Sequence, residues 1–569
     1  MRNTRLHIRI GEIGIRVPLI WPSLLAAVLL AVAPVSAAQA ERWVPPIGIP
    51  VPPFGISEVA PQPPSPWNAP RAGFYFVCES CPGATDSANA YGTPVRPRVT
   101  IPNQLPAGSV VELSGRYTRR HTSPNGLVLN GTATAPVFIR GANRSSQPTI
   151  LASWEVSGTY AILEKLAFRL PGHREGLHIV TPSSHLSLRY NDISGNPNGG
   201  GVGIGGWTTA SASHIVVHAN RIHDNGDVNA SFDQDVHGIA VGARVSNLWI
   251  VDNELSRNSG DGLQLNGGPV NQSTLHHVYI GRNVAHGNKQ TGFWVKQALD
   301  VIISQNVSYG HRASNSSSGD GMGGQYAPGW LWFLFNDIYD NESGIRIASD
   351  NGLGTGRDIF IVGNRIHRIH KVTGKYNSNT AYEVSAVGIW GGTNVHVVNN
   401  TIWDVDAGIS SPRTNGKLSI FNNIIDTPSQ TGASQVFLEN ASLAGSSTMD
   451  YNLFLEPSRI RWGDYTQRSH DDFHAATGKG GHSMKTQDPR FSDAAARDFR
   501  ILAESPAVDR GLDVDSINEH HVYAAFASRY QLDIRKDAAG AARPQGSGFD
   551  IGAYEYAGGS ERNGRSVAR

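Results

Sequence analysis

Short stretches of alternating apolar and polar residues recur through the middle of the chain. Residues 237–266 show the pattern: a Gly-led stretch, a turn, a second alternating stretch that ends at Asn253, and another turn before the next Gly-led stretch. Alternation over so few residues predicts half-buried β-strands, and no amphipathic helical pattern fills the gaps. The pattern therefore predicts an all-β protein built from short strands.

An Asn, one variable residue and usually an aliphatic residue return at intervals of 23 to 36 residues. The ten asparagines are Asn191, Asn220, Asn253, Asn283, Asn306, Asn336, Asn364, Asn400, Asn423 and Asn452. Repeats of this length indicate stacked units, here the coils of a right-handed parallel β-helix with about ten or more coils. We interpret the asparagines as structural, because Asn tolerates left-handed backbone at a corner and its amide can bond the neighbouring coil.

The domain organisation follows from changes in composition. Arginines, an apolar run and Ala38-Gln39-Ala40 predict a signal peptide over residues 1–40, hence a secreted or periplasmic protein. Residues 41–72 form a predicted Pro-rich linker. We expect an N-terminal cap and first coils over 73–170, repeats over 171–455, a C-terminal cap segment over 456–556 and a disordered tail over 557–569. No later segment is long and apolar enough to enter a membrane stably.

Composition narrows the class of partner. The 569 residues carry a net charge of +1 and include 63 glycines, which suits a turn-rich β protein and does not call for nucleic acid. We expect a monomer. The only cysteines are Cys78 and Cys81. They supply too few ligands for a metal site, and in an exported protein a local disulfide is favoured over redox chemistry.

Stacking the Gly-led strands predicts which side chains share an outer surface. Their aliphatic residues point inward, and the alternate residues point outward. We expect one patch across four coils, which we call the central patch: Gln264, Asn266, Trp294, Lys296, Gln325 and Arg346. Trp390 is expected further along the column of Trp294. Aromatic faces can stack on sugar rings, amides can bond hydroxyls, and cations can neutralise carboxylates. The alternative is ordinary surface with the tryptophans covered by loops.

Carboxylates precede these strands. Asp233 and Asp235 lie two residues apart and could hold Ca²⁺, with Asp261 as a further ligand. However, Asp-x-Asp-x-His is not a calcium loop by itself. Turn geometry explains Asp261 equally well.

The last part of the chain resembles a known superfamily. The segments that carry the resemblance are Asp450–Phe454, Asp488–Phe491, Ser505–Gly511, Ala542–Pro544 and Asp550–Glu555. They are similar to the closing segment of secreted bacterial right-handed β-helix proteins of the pectate-lyase-like superfamily. With the repeats, the resemblance covers roughly residues 100–556. That superfamily includes lyases, hydrolases, epimerases and binding proteins, so it indicates the fold more than the substrate.

The resemblance implies a lyase that cleaves an acidic, uronate-containing polysaccharide by β-elimination, with Ca²⁺ as a possible cofactor. It assigns the base to Lys296, carboxylate neutralisation or a second base to Arg346, and the acid to Tyr326 or His237. A mannuronan C5-epimerase is an alternative. However, the places that would carry its Asp and His are Ala240, Gly242 and Asn266. A hydrolase is disfavoured because the outward columns contain no carboxylates. A non-catalytic carbohydrate-binding β-helix is the remaining alternative.

Overall fold

The structure is a computed structural model. It describes residues 43–170, 176–206, 209–268, 274–348, 352–370, 384–412, 416–427, 434–517 and 521–558. The chain divides into two compact units, Met1–Trp43 and Val44–Arg569. Of the first unit only Trp43 is described, so the predicted signal peptide lies outside the described residues, as does most of the predicted tail.

Most coils contribute one strand to each of three parallel sheets, which we call A, B and C in chain order. One coil runs through Ile239–Val241 in sheet A, Val245–Val251 in sheet B and Glu254–Ser256 in sheet C. Each of these strands pairs in parallel with the equivalent strand of the next coil. The predicted all-β fold, a right-handed parallel β-helix, is confirmed.

The bounds of the strands follow this order. Sheet A contains Gln104–Pro106, Leu127–Asn130, Val202–Ile204, Ile239–Val241, Leu263–Asn266, Thr291–Lys296, Asp320–Gln325, Ser343–Ile347, Val387–Ile389, Ile409–Ser411, Val436–Leu438 and Ile460–Trp462. Sheet B contains Phe74–Val77, Val110–Leu113, Val137–Gly141, Ala212–His218, Val245–Val251, Leu275–Gly281, Leu299–Ser304, Gly329–Leu334, Arg357–Val362, Thr393–Val398, Leu418–Phe421 and Thr448–Asp450. Two long strands, Trp154–Glu164 and Leu177–Arg189, pass from sheet A into sheet B.

Within the described ranges, sheet C has 14 strands. They are Arg116–Tyr117, Thr149–Ile150, Ala167–Arg169, Asp192–Ser194, Arg221–His223, Glu254–Ser256, Val284–His286, Val307–Tyr309, Asp337–Asn341, Arg365–Ile369, Thr401–Val405, Ile424–Ile425, Leu453–Leu455 and Met484–Thr486. The remaining elements are α1 (Ala441–Ser446), α2 (His470–Thr477), α3 (Tyr523–Tyr530), a 3₁₀ helix (Val514–Ser516) and an antiparallel pair (Phe491–Asp493 and Asp498–Ile501).

The repeated asparagines form a ladder inside the corner between sheets B and C. Asn336 is typical: its Nδ2 donates to Ile303 O and to Asn364 Oδ1, each at 2.9 Å. Its backbone N–H also donates to Asn364 Oδ1 at 3.0 Å. The predicted structural role is therefore correct, but the predicted backbone geometry is not. The left-handed residue is the one before the Asn, as at Phe335 with φ 56°.

A second asparagine ladder lies at the corner between sheets C and A, and the sequence analysis missed it. Its members are Asn196, Asn225, Asn258 and Asn288, and the side-chain Oδ1 of each of the last three accepts a hydrogen bond from the asparagine of the preceding coil. Each follows an asparagine of the first ladder by five residues. That spacing was the available signal. Together the two ladders hold both ends of the four sheet C strands from Asp192–Ser194 to Val284–His286 in register.

The Pro-rich segment, expected to be a linker, lies against the outside of sheet B over residues 44–60. Trp249 Nε1 donates to Pro50 O at 2.8 Å, and Ser187 Oγ donates to Gly55 O at 2.7 Å. Its buried apolar residues are Ile49, Phe54 and Ala60. The segment is extended, as its prolines favour, but it does not act as a free spacer because its apolar side chains and carbonyls find partners on the sheet.

The C-terminal segment also returns along the helix and does more than cap its end. Phe526 of α3 packs edge-on against Trp332 of sheet B, with ring centroids 4.8 Å apart. Phe499 packs against His367 of sheet C. At the other end of the chain, Cys78 and Cys81 form the predicted disulfide. In the described ranges, residues 44–60 contact sheet B, and residues 521–558 contact sheets B and C and residues 507–515.

Candidate functional site

The outer face of sheet A carries the predicted central patch. Gln264 is in register with Trp294, Trp294 with Gly323, and Gly323 with Arg346. In the next outward column, Asn266 is in register with Lys296 and Lys296 with Gln325. The structure thus brings all six predicted side chains to one face across four neighbouring coils, but Trp294 is only 6% exposed and does not offer the open aromatic surface that was expected.

Trp390 lies elsewhere than expected, and this part of the predicted register is wrong. Gly388, not Trp390, is in register with Arg346. The backbone N–H of Trp390 donates to Ile347 O at 2.8 Å, which places the indole in the column of Lys296 and Gln325. The reason is that Val387 and Ile389 occupy the inward places of this strand, where Ile389 and Gly391 were expected.

Arg346 is fixed by a buried carboxylate and an aromatic ring. Its Nη2 lies 2.9 Å from Asp320 Oδ2, and the Asp320 side chain has no exposed surface. Its guanidinium carbon lies 5.2 Å from the ring centroid of Trp294. Gly323 between them is required, since a Cβ there would lie 2.2 Å from Trp294 Cζ3. The positive charge of Arg346 is therefore largely compensated by Asp320. Arg346 can hold a substrate in place, but it is a poor base because a guanidinium stays protonated.

Lys296 is the second cation of the patch, and unlike Arg346 it has no carboxylate paired with it among the described residues. Its Nζ lies 5.9 Å from the ring centroid of Tyr326, and it forms no ion pair within the part of the chain that the structure describes. The side chain is partly exposed, with the amides of Asn266 and Gln325 in register on either side. A lysine in these surroundings can receive a carboxylate or accept a proton when neutral.

Asp261 lies beneath this lysine and is almost wholly buried. Its Oδ2 accepts a hydrogen bond from Gln264 Nε2 at 2.8 Å. Its backbone N–H donates to His237 Nδ1 at 2.9 Å, so a neutral His237 carries its proton on Nε2. Burial raises the pKa of Asp261, and the charges of His237 and Lys296 only partly oppose that effect. Asp261 therefore keeps its proton to higher pH than an ordinary aspartic acid.

The three predicted calcium ligands do not lie around a common point. Asp235 Oδ1 accepts a hydrogen bond from Gln290 Nε2 at 2.7 Å, whereas Asp261 is engaged with Gln264 and His237. Across the described ranges, no group of three His, Cys, Asp or Glu side chains is placed to hold a metal ion. Asp233, Asp235 and Asp261 thus do not fit a calcium site of the predicted kind, and we derive no chemical step through Ca²⁺.

A loop over residues 226–236 lies against the corner between sheets C and A, ahead of the strands that carry the patch, and it was not predicted from the sequence. The buried Lys289 donates to the carbonyl oxygens of Ala230 and Phe232. Arg312 Nη1 donates to Asn229 Oδ1 at 2.8 Å. The loop is thereby fixed to the coils that carry Trp294 and Gly323. It presents Phe232 with 59% of its surface exposed, and a hydrophobic residue at a loop tip was the available signal.

Comparisons with known proteins give the fold class but no closer relationship. No protein-family model matches the chain, and no curated protein matches its sequence. The solved structures that resemble it include a pectate lyase, Pel9A, with 15% identity over 85% of this chain and 96% of that one and a TM-score of 0.35. They also include XylC in complex with xylose, with 9% identity over 84% and 98% and a TM-score of 0.47.

A third such structure is the A-module of the Azotobacter vinelandii mannuronan C-5 epimerase AlgE4, with 14% identity over 55% of this chain and 89% of that one and a TM-score of 0.35. At these TM-scores the likenesses carry no argument about activity. Among the described residues, no helix is long and apolar enough to cross a bilayer. Function must therefore be argued from the patch itself.

Proposed function

We propose that the chain is a secreted, polysaccharide-active lyase that cleaves an acidic, uronate-containing polymer by β-elimination on the outer face of sheet A. The observation that carries the proposal is Lys296, a partly exposed cation with no ion pair in the described part of the chain, set between Asn266 and Gln325. Export and a monomeric state belong to the same proposal.

Lys296, in its neutral form, removes the C5 proton of the uronate. Electrons from the C5–H bond form the C4–C5 double bond, the C4–O bond breaks, and an acid protonates the leaving oxygen. Arg346, held by Asp320 and Trp294, contacts the substrate carboxylate and keeps it in place. Tyr326 is the preferred acid, because its ring adjoins Lys296. His237 is nearly buried, and its Nδ1 is occupied by a backbone N–H.

A non-catalytic carbohydrate-binding protein is the second candidate. The observation that favours it is the compensation of Arg346 by the buried Asp320, which leaves the patch one uncompensated cation where β-elimination uses a base and a carboxylate neutraliser. An epimerase is weaker, since Ala240 and Gly242 stand in the outward places ahead of Gln264 and Asn266.

The test is incubation with pectate, alginate, glucuronan and glycosaminoglycans, with and without a chelator, following the ultraviolet absorbance of unsaturated products. We expect Lys296→Ala to lower turnover by at least about 10²-fold. Lys485→Ala, which removes a partly exposed lysine of sheet C, should leave turnover unchanged. Full activity in Lys296→Ala would refute the assignment of the base. Binding without turnover on every polymer would favour the carbohydrate-binding protein, and a changed epimer ratio without cleavage would favour the epimerase.

A further inference from the structure

A second cleft lies at the N-terminal end of the β-helix, far from the central patch. Its volume is about 750 Å³. Its lining residues are Glu79, Thr100, Ile101, Pro102, Asn103, Thr118, Arg119, Arg120, His121 and Asn125. Most of them precede the first two strands of sheet A, Gln104–Pro106 and Leu127–Asn130. We propose that this N-terminal cleft binds one uronate residue of an acidic saccharide and anchors a polymer that also reaches the central patch.

The disulfide loop builds one wall of the cleft. Glu79, between the two cysteines, accepts hydrogen bonds from the backbone N–H of Thr118 at 2.6 Å and from its Oγ1 at 3.0 Å. Its carboxylate also lies 3.5 Å from Arg119 Nε. Glu79 and Arg119 therefore compensate each other. Arg120 lines the same cleft and forms no ion pair within the described ranges, so the cleft holds one uncompensated positive charge.

The floor of the cleft contains a histidine whose N–H lacks an acceptor. The Tyr117 hydroxyl accepts from Ile101 N–H at 3.1 Å and lies 2.8 Å from His121 Nε2. Donation of the hydroxyl proton to Nε2 pairs both buried groups, whereas the opposite direction would leave that proton without an acceptor among the described residues. Burial lowers the pKa of His121 to about 4, so the ring is neutral near pH 7. The backbone of Asn125 opposes the shift, and the charge of Arg119 adds to it. The ring proton of His121 therefore resides on Nδ1.

His121 is only 4% exposed, and its Nδ1 makes no hydrogen bond of good geometry with the described residues, although the backbone of Asn125 lies near enough to raise the pKa of the ring. A buried donor left unpaired carries a desolvation cost that an incoming acceptor oxygen relieves. The side chain lines the cleft, so such an oxygen can approach from the cleft itself. This buried donor is the feature that distinguishes the cleft from an ordinary surface depression.

The lining defines the chemistry of the ligand. One uncompensated guanidinium, the amides of Asn103 and Asn125, the hydroxyl of Thr118 and the N–H of His121 suit a molecule with one negative charge and several oxygens. A uronate residue has that composition. This identification rests on the proposed function for the class of polymer, because the cleft alone specifies only a hydroxylated anion.

The distance between the two sites sets the length of the polymer. Six parallel pairings separate strand Leu127–Asn130 from strand Thr291–Lys296. At about 4.8 Å for each strand spacing, the cleft lies about 29 Å from Trp294 and Lys296 along the helix. A polymer that occupies both sites gains affinity without any new contact at the site of chemistry, because the second binding event becomes intramolecular.

The experiment measures the affinity of long and short oligouronates by calorimetry in the Lys296→Ala background, so that the polymer stays intact. Arg120→Ala and His121→Phe should each weaken binding of the long oligomer about 5- to 10-fold, as expected for a lost charged or neutral hydrogen bond. Arg116→Ala is the matched control, because Arg116 is an exposed arginine of the adjoining sheet C strand and does not line the cleft. It should bind normally.

A second readout covers the case in which His121→Phe fails to fold. With ¹⁵N-labelled histidine, addition of a short oligouronate should shift the Nδ1 resonance of His121, and Arg120→Ala should reduce that shift at a given concentration. Unchanged affinity in Arg120→Ala together with an unshifted His121 resonance would overturn the inference, whether or not the central patch is catalytic. Weaker binding in Arg120→Ala with no turnover of any polymer would leave the cleft established and the lyase proposal refuted.

Discussion

On the outer faces of sheets A and B alike, an arginine pairs with a buried aspartate and lies over a tryptophan ring. On sheet B, Arg529 pairs with Asp300 and its guanidinium carbon lies 4.4 Å from the ring centroid of Trp330. On sheet A, Arg346 pairs with Asp320 and lies 5.2 Å from Trp294. The local chemistry of the two clusters is the same, but the source of the arginine differs.

Arg529 belongs to α3, so the sheet B cluster is complete only when the C-terminal segment covers the sheet. Arg346 belongs to sheet A itself, so its cluster needs no covering segment. The first cluster fastens one part of the chain to another. The second fixes a surface in advance of any ligand, and such preorganisation lowers the cost of binding. Whether a cluster is covered by another segment of the chain therefore distinguishes scaffold from site better than the residue types in the cluster do.

The largest expected difference in stability between scaffold and site is between two asparagines. Asn336→Ala removes a ladder amide and leaves buried backbone groups of the adjoining coils unpaired, so we expect it to lower the free energy of unfolding by about 3–5 kcal/mol. Asn266→Ala, on the open face of sheet A, loses one hydrogen bond from Gly268 N–H and should lower it by only about 0.5–1 kcal/mol while weakening polymer binding. Urea denaturation and calorimetry would measure both. Equal loss of stability in the two variants would contradict the division.

The two arginines give the next largest effect. Arg346→Ala leaves the fully buried Asp320 without its cation and should lower the free energy of unfolding by about 2–3 kcal/mol, together with polymer affinity. Arg529→Ala should cost about 1–2 kcal/mol, because Arg529 is about one third exposed and Tyr530 still donates to Asp300. Its affinity for polymer should equal that of the unmodified protein. A loss of affinity in Arg529→Ala would show that sheet B takes part in binding.

Asp261, beneath the central patch, should make the stability of the protein depend on pH. Its pKa is raised by burial, so its contribution to stability is complete below the pKa of the unfolded chain and is lost as pH rises through the folded value. Asp261→Asn should therefore gain stability relative to the unmodified protein from acid to neutral pH, as measured by urea denaturation at each pH. A parallel pH profile for the two proteins would mean that Asp261 ionises as an ordinary carboxyl.

The sequence predicted the fold because the asparagine spacing and the strand alternation have one physical cause, the stacking of coils. It also predicted the register of the four strands that carry the central patch, since inward aliphatics such as Leu263 and Phe293 fix which side chains point outward. The register fails at Trp390, where two overlapping sets of apolar residues, Val387 with Ile389 and Ile389 with Gly391, fit the same alternation.

Contacts between distant parts of the chain could not be read from the pattern. Nothing in the sequence around Asp320 identifies Arg346 as its partner, because the pair forms only when the two coils stack. The same holds for residues 44–60, whose composition predicts an extended segment but not the sheet that it covers. Sequence periodicity reports local geometry, whereas the separation of open and covered faces depends on long-range packing.

The smallest expected effect on stability compares two exposed hydrophobic residues. Phe232, on the loop beside sheet A, and Val51, on the segment over sheet B, are 59% and 60% exposed. Replacing either with Ala should change the free energy of unfolding by less than about 0.5 kcal/mol, since neither side chain is buried. Phe232→Ala should nevertheless weaken polymer binding about 3- to 10-fold, because an aromatic face beside the patch can stack on a sugar ring, whereas Val51→Ala should leave binding unchanged. Equal affinities in the two variants would limit the binding face to the strands of sheet A and exclude the loop that Lys289 holds in place.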